Sequence, residues 1–202
     1  MLAAIIQARM GSTRLPGKTL ADIGQKPMLE RVIERVQAST AIEDVIVATT
    51  VEPADGVLAQ FAEARGFKCF RGSERDVLDR FYQAASRFAV RHIVRVTPDC
   101  PLLDPRVMDQ VIGLYRTGRY DYVSNTQGRR FPDGLDVEVF SFDALAQAWR
   151  DAKSPSEREH VTPFIVKHPE RFRIGNVQAP VDCARFKWSV DHEDDLAFVR
   201  AV

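Results

Sequence analysis

The chain has 202 residues, of which 45% are hydrophobic and 28% are charged, a balance typical of an α/β domain with a substantial core. Lysine plus arginine equals aspartate plus glutamate at 28 each, so the basic surplus of proteins that bind long nucleic acids is absent. Three scattered cysteines, a start without a signal-peptide pattern and no run of ~20 apolar residues argue against a disulfide framework, a zinc site and membrane insertion, and favour the cytoplasm.

Apolar runs and helical patterns alternate in the first half of the chain. Four short runs have the length of buried strands, and each interval between them contains a helical pattern. This order predicts a three-layer, doubly wound α/β fold with a mostly parallel sheet and right-handed crossovers. The strands are expected at Leu2–Gln7, Val45–Thr49, Lys68–Phe70 and His92–Thr97, and the helices from Pro27, over Ala54–Arg65 and over Glu74–Phe88.

The second half begins with a helix at Pro105–Tyr115, and the pattern changes from Asp121 onward. Alternating charged and apolar residues at Leu135–Phe140 are typical of an antiparallel or edge strand. We expect one domain over residues 1–202 with a small inserted strand-helix lobe near residues 125–180. The remaining expected strands are Phe172–Val177 and Phe186–Val190, and the remaining helices are Phe142–Arg150, Ser156–Lys167 and Glu193–Val202.

The loop after the first strand has the composition of an anion site. Arg9, Arg14 and Lys18 place three cations in one turn-rich segment, and Gly11 and Gly17 let the backbone come close to a phosphate. Ligands of doubly wound folds bind outside the carboxyl ends of the strands, where this loop must lie. The alternative is a surface loop with solvated cations, but three of them in this setting favour a triphosphate site.

Two nucleotide motifs that could compete with this interpretation fit poorly. The segment from Gly11 to Thr19 resembles a P-loop, but five residues rather than four separate its glycines. Asp22 and Gly24 also prevent a long helix from starting at Lys18, and a P-loop needs that helix N-terminus. No GxGxxG follows the first strand, which disfavours a nicotinamide dehydrogenase.

Two aspartates follow expected strands and are candidate metal ligands. Asp99 comes after His92–Thr97, and Asp191 comes after Phe186–Val190. Carboxylates beside a triphosphate loop suit Mg²⁺, which prefers oxygen ligands and substrate phosphates. Each could instead be a turn or helix-capping aspartate, and Asp191 alone could cap the last helix. The acidic run at 193–195 is interpreted as a solvated helix start.

Further polar clusters suggest contacts to a nucleotide and to a second substrate. Arg71, Asp76 and Arg80 follow the third strand, although Arg80 could equally be an exposed helix residue that pairs with Asp76. Asp136 and Glu138 lie two apart on a strand, hence on one face, where they could accept hydrogen bonds from sugar hydroxyls or be solvated. Candidate acceptor contacts also occur in the segment Arg158, Glu159 and His160.

The run from Ala8 to Lys18 resembles the signature of the acylneuraminate cytidylyltransferases, which make CMP-activated sialic-type and ketodeoxyoctonate-type sugar acids. The longer run Ile6–Leu20 is most similar to the spore coat polysaccharide biosynthesis protein F branch. The resemblance extends over nearly the whole chain through several separate motifs. It implies a fold of the nucleotide-diphospho-sugar transferase type, CTP as substrate and Mg²⁺ as cofactor.

The resemblance also implies roles for individual residues. Arg9, Arg14 and Lys18 would act in catalysis by holding the β and γ phosphates, and Asp99 and Asp191 would bind the metal. The implied nucleotide contacts are Ala8, Arg9, Gly11, Ser12, Arg14, Lys18, Arg71, Asp76 and Arg80. The implied sugar contacts are Asp136, Glu138, Arg158, Glu159 and His160.

The expected activity is transfer of CMP from CTP to a sugar acid, with release of pyrophosphate, in surface polysaccharide biosynthesis. The resemblance suggests a homodimer formed through the inserted lobe. Three alternatives remain open: a glycosyltransferase of the same fold, a non-catalytic nucleotide-binding protein, and a P-loop phosphatase or kinase. They differ in product, because only a nucleotidyltransferase releases pyrophosphate from the nucleotide.

Overall fold

A computed structural model describes all 202 residues and contains a seven-stranded mixed sheet in the order β5-β4-β1-β6-β8-β7-β9. A separate two-stranded hairpin, β2 and β3, lies just before the first helix. The strands are β1 Leu2–Gln7, β2 Asp22–Ile23, β3 Lys26–Pro27, β4 Asp44–Thr50, β5 Lys68–Gly72, β6 His92–Val96, β7 Tyr122–Ser124, β8 Glu138–Ser141 and β9 Ile174–Asn176. The helices are α1 Met28–Gln37, α2 Gly56–Ala64, α3 Val77–Arg87, α4 Pro105–Tyr115, α5 Phe142–Asp151, α6 Pro155–His160, α7 Pro163–Lys167 and α8 Glu193–Ala201.

The first half of the chain forms the parallel part of the sheet, as predicted. β1 pairs in parallel with both β4 and β6, and β4 pairs in parallel with β5. Successive residues of β1 enter opposite cores: Ala4 and Ile6 belong to one buried cluster, and Ala3 and Ile5 to the other. The first cluster also includes buried residues of α1, α2 and α4, and the second those of α3, α5 and α7. Helices therefore cover both faces, which gives the three layers expected for this fold.

The second half extends the same sheet beyond β6. β8 pairs antiparallel with β6 and with β7, and β9 adds in parallel to β7. Residues within the predicted lobe near 125–180 thus contribute β8 and β9 to the sheet, with α5, α6 and α7 packed beside them. β7 was not predicted, and β9 is shorter than Phe172–Val177, because three-residue strands leave little periodicity to detect.

Two sequence predictions in this half were wrong. Phe186–Val190 is an extended segment with one isolated parallel bridge from Lys187 to Asp133, and not a strand of the sheet. Two backbone hydrogen bonds hold this segment beside Asp133: the Asp133 N–H donates to the carbonyl of Phe186, and the Trp188 N–H donates to the carbonyl of Asp133. Ser156–Lys167 is two helices rather than one, because Val161 has a φ of 72° and directs the chain from α6 into α7.

None of the helices combines the length and the apolar character that a transmembrane span requires.

Candidate functional site

The first loop leaves the carboxyl end of β1 and is closed by local hydrogen bonds. Gly17 takes a left-handed conformation, with φ 74°, just before the short 3₁₀ turn Lys18–Leu20. The Thr19 hydroxyl donates to the carbonyl of Arg9 at 2.8 Å, which joins the two ends of the loop. Because only one 3₁₀ turn follows Lys18, the loop lacks the helix of a P-loop, as the sequence predicted.

Lys18 joins the first loop to both predicted metal-binding aspartates. Its Nζ donates to Asp99 Oδ2 at 3.0 Å, to Asp191 Oδ1 at 3.2 Å and to the carbonyl of Val190 at 2.8 Å. The Lys18 side chain is only 12% exposed, so water screens these contacts less than it would at the surface. The loop and the two carboxylates therefore face each other in one cleft.

Asp191 is surrounded by cations. Arg14 Nη2 lies 2.7 Å from Asp191 Oδ1, and Lys187 Nζ lies 3.3 Å from its other oxygen. Burial alone would raise the pKa of Asp191, but hydrogen bonds and positive charge from Lys18 and Lys187 lower it below the usual aspartate range. Asp191 thus carries its negative charge at neutral pH.

Asp191 is not the cap of the last helix. The N-cap of α8 is His192, and the carboxylate that caps this turn belongs to Asp195, which accepts from the backbone N–H groups of Asp191 and His192 at 2.8 and 2.9 Å. The alternative capping role for Asp191 was therefore wrong, and its side chain is left to the cleft. Asp195, in the acidic run interpreted as a solvated helix start, also pairs with Lys187.

The donor set fits a magnesium ion that is shared with a substrate. Asp99 and Asp191 each hold an oxygen near the same ammonium group, so both carboxylates already converge on one positive charge. No cluster of three or more histidine, cysteine or acidic side chains suited to a metal occurs in the chain. Mg²⁺ is commonly bound by one or two carboxylates together with substrate phosphates and waters, and two carboxylates meet that requirement.

A cavity of about 790 Å³ opens at the carboxyl ends of β1 and β6 and extends to the first turn of α3. Its volume lies in the range of small-molecule sites. Sixteen of its 20 lining residues are polar or charged, and the other four are Ala8, Val77, Pro98 and Pro155. The predicted nucleotide contacts that line it are Ala8, Arg9, Ser12, Arg14, Lys18, Asp76 and Arg80.

Two predicted nucleotide contacts lie outside this lining. Gly11 is not part of the cavity wall, and neither is Arg71. The Arg71 guanidinium is engaged at the end of β4, where Nε donates to the carbonyl of Thr50 at 2.8 Å and Nη2 to that of Glu52 at 2.9 Å. Its donors thus hold the chain after β4 instead of facing the cavity.

Asp76 and Arg80 do not pair with each other, so the interpretation of Arg80 as an exposed helix residue was wrong. Asp76 is the N-cap of α3 and accepts from the backbone N–H of Asp79 at 2.9 Å. Arg80 is buried, with 2% exposure, and Nη1 donates to the carbonyl of Ser73 at 2.7 Å. Sequence spacing alone could not distinguish these arrangements, because residues four apart on a helix can pair or can diverge.

Arg158 contacts protein groups with most of its donors. Its Nε lies 3.0 and 2.9 Å from the two oxygens of Asp76, Nη2 lies 2.5 Å from Asp76 Oδ2, and Nη1 donates to the carbonyl of Trp149 at 2.6 Å. This ion pair ties α6 to the start of α3. The neighbouring Glu159 and His160 are exposed and line the large cavity without a side-chain hydrogen bond to protein.

A second cavity of about 240 Å³ adjoins the first, and eight of its nine lining residues are polar or charged, with Pro163 as the exception. Both cavities are lined by Thr97 and His160, so these two residues mark their junction. The predicted sugar contacts Asp136 and Glu138 lie together on its wall. It is a polar site suited to a hydroxyl-rich group.

Two arginines that sequence reasoning missed neutralise these carboxylates. Arg129 makes a two-pronged contact with Asp136, at 2.7 and 2.6 Å, and Arg95 pairs with Glu138. Burial raises the pKa of Asp136 more than the hydrogen bonds from Arg129 lower it. One signal was available: Arg95 interrupts the apolar strand β6, where a charged side chain needs a buried partner.

Both carboxylate oxygens of Glu138 accept hydrogen bonds from protein groups. Besides Arg95, it accepts from the Tyr122 hydroxyl at 2.7 Å and the Thr162 hydroxyl at 2.6 Å, and it is 7% exposed. Its side chain therefore holds β6, β7 and the start of α7 together. Asp136, with one arginine partner, has more freedom to accept from a ligand.

Comparison with known proteins agrees with this geometry. Residues 3–194 match the family model described as Cytidylyltransferase. The chain is 33% identical over 207 residues to the spore coat polysaccharide biosynthesis protein SpsF of Bacillus subtilis, covering 98% of this chain and 84% of that protein. It is 39% identical over 113 residues to the 3-deoxy-manno-octulosonate cytidylyltransferase of Geobacter sulfurreducens, which covers 55% of this chain and 44% of that enzyme.

The fold has a close counterpart among solved structures. A cytidylyltransferase from Leptospira borgpetersenii superposes with a TM-score of 0.93 at 34% identity, over 99% of this chain and 85% of that one. This similarity confirms the mostly parallel sheet with flanking helices. Together with the family match, it shows that the chain belongs to the cytidylyltransferase family and is a nucleotidyltransferase, as its first loop predicted.

Proposed function

We propose that the protein transfers CMP from CTP to a hydroxyl of a sugar acid and releases pyrophosphate, as a step in surface polysaccharide biosynthesis. The observation that carries the proposal is the junction of two polar cavities at Thr97 and His160. The larger cavity has the charges needed for a triphosphate, and the smaller one suits a sugar. The sugar-acid class and the polysaccharide role are further supported by the names of the relatives from Geobacter and Bacillus.

In this proposal the chain acts mainly by holding charge and position. Arg9, Arg14 and Lys18 bind the β and γ phosphates, and the phosphate oxygens compete with Asp99 and Asp191 for the last two cations. The sugar hydroxyl lies near the junction; its oxygen bonds to the α-phosphorus and its proton passes to water as the bond to pyrophosphate breaks. Proximity and fixed charge account for most of the rate gain in such reactions.

Asp99 and Asp191 are the residues that would hold Mg²⁺, which neutralises phosphate charge when bound. Once Lys18 pairs with phosphate oxygens instead, each carboxylate would have an oxygen available to the metal. The two aspartates would thus anchor the triphosphate of the nucleotide.

The test is pyrophosphate release with Mg²⁺, each of CTP, UTP, ATP and GTP, and a panel of sugar acids that includes 3-deoxy-manno-octulosonate. We expect release with CTP and at least one acid. Faster release with another nucleotide would contradict the assignment of CTP. Consumption of a nucleotide-sugar without pyrophosphate would indicate a glycosyltransferase, and CTP binding without turnover on any acceptor would indicate a binding protein.

A further inference from the structure

Arg80 is a buried cation without a counterion. Its side chain is 2% exposed, no carboxylate lies within ion-pair distance, and its hydrogen bond to protein is the one from Nη1 to Ser73. No protein group accepts a hydrogen bond from Nε, although the atom is fully buried. Burial and the nearby charge of Arg9 lower the pKa of Arg80 to about 10. A guanidinium has five donors, and an unused buried donor costs free energy unless a ligand accepts from it.

The position of Arg80 in the cavity restricts which part of a nucleotide it can meet. The Arg80 guanidinium contacts Ser73, just after β5, whereas Asp99 follows β6. These two strands lie three positions apart in the sheet. At the usual strand spacing that separation is about 14 Å, similar to the distance from a nucleobase to the far end of its triphosphate. The triphosphate cations Arg14 and Lys18 contact the aspartate end, so Arg80 faces the opposite end.

The wall beside Arg80 suits a flat ring. Val77 and Arg80 lie three residues apart on α3 and therefore share one face of the helix. Val77 is the apolar residue of the cavity wall on this face of α3, so a base that packs against it would turn its edge toward Arg80. Gly72 makes room for this arrangement, since a Cβ there would lie 3.2 Å from Arg80 Cγ and 2.9 Å from the Phe70 ring.

We propose that Arg80 selects the base of the nucleotide by donating hydrogen bonds to O2 and N3 of cytosine. This inference rests on the proposed function. Both cytosine atoms are acceptors, whereas uracil carries a hydrogen on N3 that would point at the guanidinium. Uracil could satisfy one donor but not two, so Arg80 would discriminate between the two pyrimidines.

The test measures binding of CTP, UTP and inorganic tripolyphosphate, with Mg²⁺ present, by calorimetry on the wild type and on Arg80→Met. Since a two-pronged contact typically discriminates by roughly 10- to 100-fold, we expect that preference for CTP over UTP in the wild type. Arg80→Met should bind CTP no better than UTP and should bind tripolyphosphate as the wild type does. Arg87→Met is the matched control, because Arg87 is exposed on the same helix and should change none of the three affinities.

The outcomes separate the inference from the function on which it rests. A wild type that prefers CTP together with an Arg80→Met that keeps the preference overturns the role of Arg80 and leaves the function standing. Equal weakening of all three ligands overturns it too and assigns Arg80 to phosphate binding. A wild type without preference overturns both. If Arg80→Met fails to fold, Arg80→Lys decides: it keeps the charge but not the paired donors, and it should also lose the preference.

Discussion

The Lys18 ammonium group is expected to exchange its partners when substrate binds. In the free protein its ammonium group satisfies two carboxylates that would otherwise repel each other across the cleft. With a triphosphate present, the same charge is available to phosphate oxygens and the carboxylates to a metal. In the proposed reaction one side chain would thus stabilise the free site and contribute to the transition state.

Replacing Lys18 with alanine should lower kcat/KM for pyrophosphate release by about 100- to 1000-fold, the usual effect of losing a group that stabilises transition-state charge. Asp99→Asn should also lower it severely, through loss of the metal. Lys26→Ala is the control, because Lys26 pairs with Glu34 at the surface. Circular dichroism should show all three variants folded, and wild-type rates in Lys18→Ala and Asp99→Asn would contradict the site.

Gly134 allows the closest backbone approach in the site. Its φ is 107°, and a Cβ would lie 2.6 Å from both the backbone N of Ser189 and the carbonyl carbon of Trp188. This contact positions the extended segment that leads to Asp191. Any side chain at 134 must therefore displace that segment.

We expect Gly134→Ala to destabilise the protein by at least about 2 kcal/mol, because a strained φ and a backbone clash add together. Gly113→Ala is the matched control: Gly113 is exposed on α4, nothing lies within 4 Å of its Cβ position, and alanine should stabilise by about 0.5–1 kcal/mol. Urea denaturation of both variants is the measurement. Equal free energies of unfolding for the Gly134→Ala and Gly113→Ala variants would contradict the close contact at Gly134.

At the scale of elements, α6 is the part that both cavities share. It is a six-residue helix with a complete capping box, formed by Ser154 and Glu157. None of its six residues is buried, so packing alone does not hold it. The ion pair from Arg158 to Asp76 supplies the missing attachment to α3.

A double-mutant cycle with Arg158→Met and Asp76→Asn should give a coupling free energy of about 1–2 kcal/mol in urea denaturation. Asparagine keeps the cap of α3, so the cycle isolates the ion pair. The control pair is Arg173 with Asp121, whose arginine is 61% exposed and whose coupling should stay below about 1 kcal/mol. Equal coupling free energies in both pairs would contradict the proposal that Arg158 attaches α6 to α3.

Asp195, at the start of α8, should make the free energy of unfolding depend on pH in the acidic range. Burial raises the pKa of Asp195, but hydrogen bonds from Lys187 and from two backbone N–H groups lower it by more. The net pKa is about 2, against an ordinary value of 3.8. A depressed pKa contributes stability above the unfolded value, and that contribution is lost as pH falls from about 4 to 2. Asp195→Asn should therefore cost about 1 kcal/mol at pH 7, with the difference from wild type shrinking toward pH 2. Urea titrations at both pH values test this, and a constant difference would contradict it.

For the whole molecule, the sequence was most informative where elements are long and local. β1, β4 and β6 are apolar runs with amphipathic helices between them, so their order and the place of the first loop followed directly. The meeting of Lys18 with Asp99 could also be predicted, because parallel strands end at the same edge of the sheet. Lys18 and Asp99 therefore meet although they lie far apart in the sequence.

The remainder depended on long-range pairing that periodicity does not encode. Three-residue strands such as β7 and β9 are fixed by their neighbours, and β8 joins β6 in the opposite direction. The burial of Arg80 could not be foreseen, because a charged residue on a helix is ordinarily solvated. The pairing of Arg129 with Asp136 likewise connects residues whose contact only the tertiary fold creates.

The arrangement around β6 has a consequence for how such enzymes diversify. Apart from α6, the larger cavity is built from residues before position 100, and apart from Arg95 and Thr97 the smaller one is built from residues 126–163. If the two cavities bind nucleotide and sugar as proposed, most residues that contact each substrate lie in a separate stretch of the chain. A descendant could exchange the later stretch by recombination, or drift within it, and adopt a new sugar while its hold on the nucleotide stays intact.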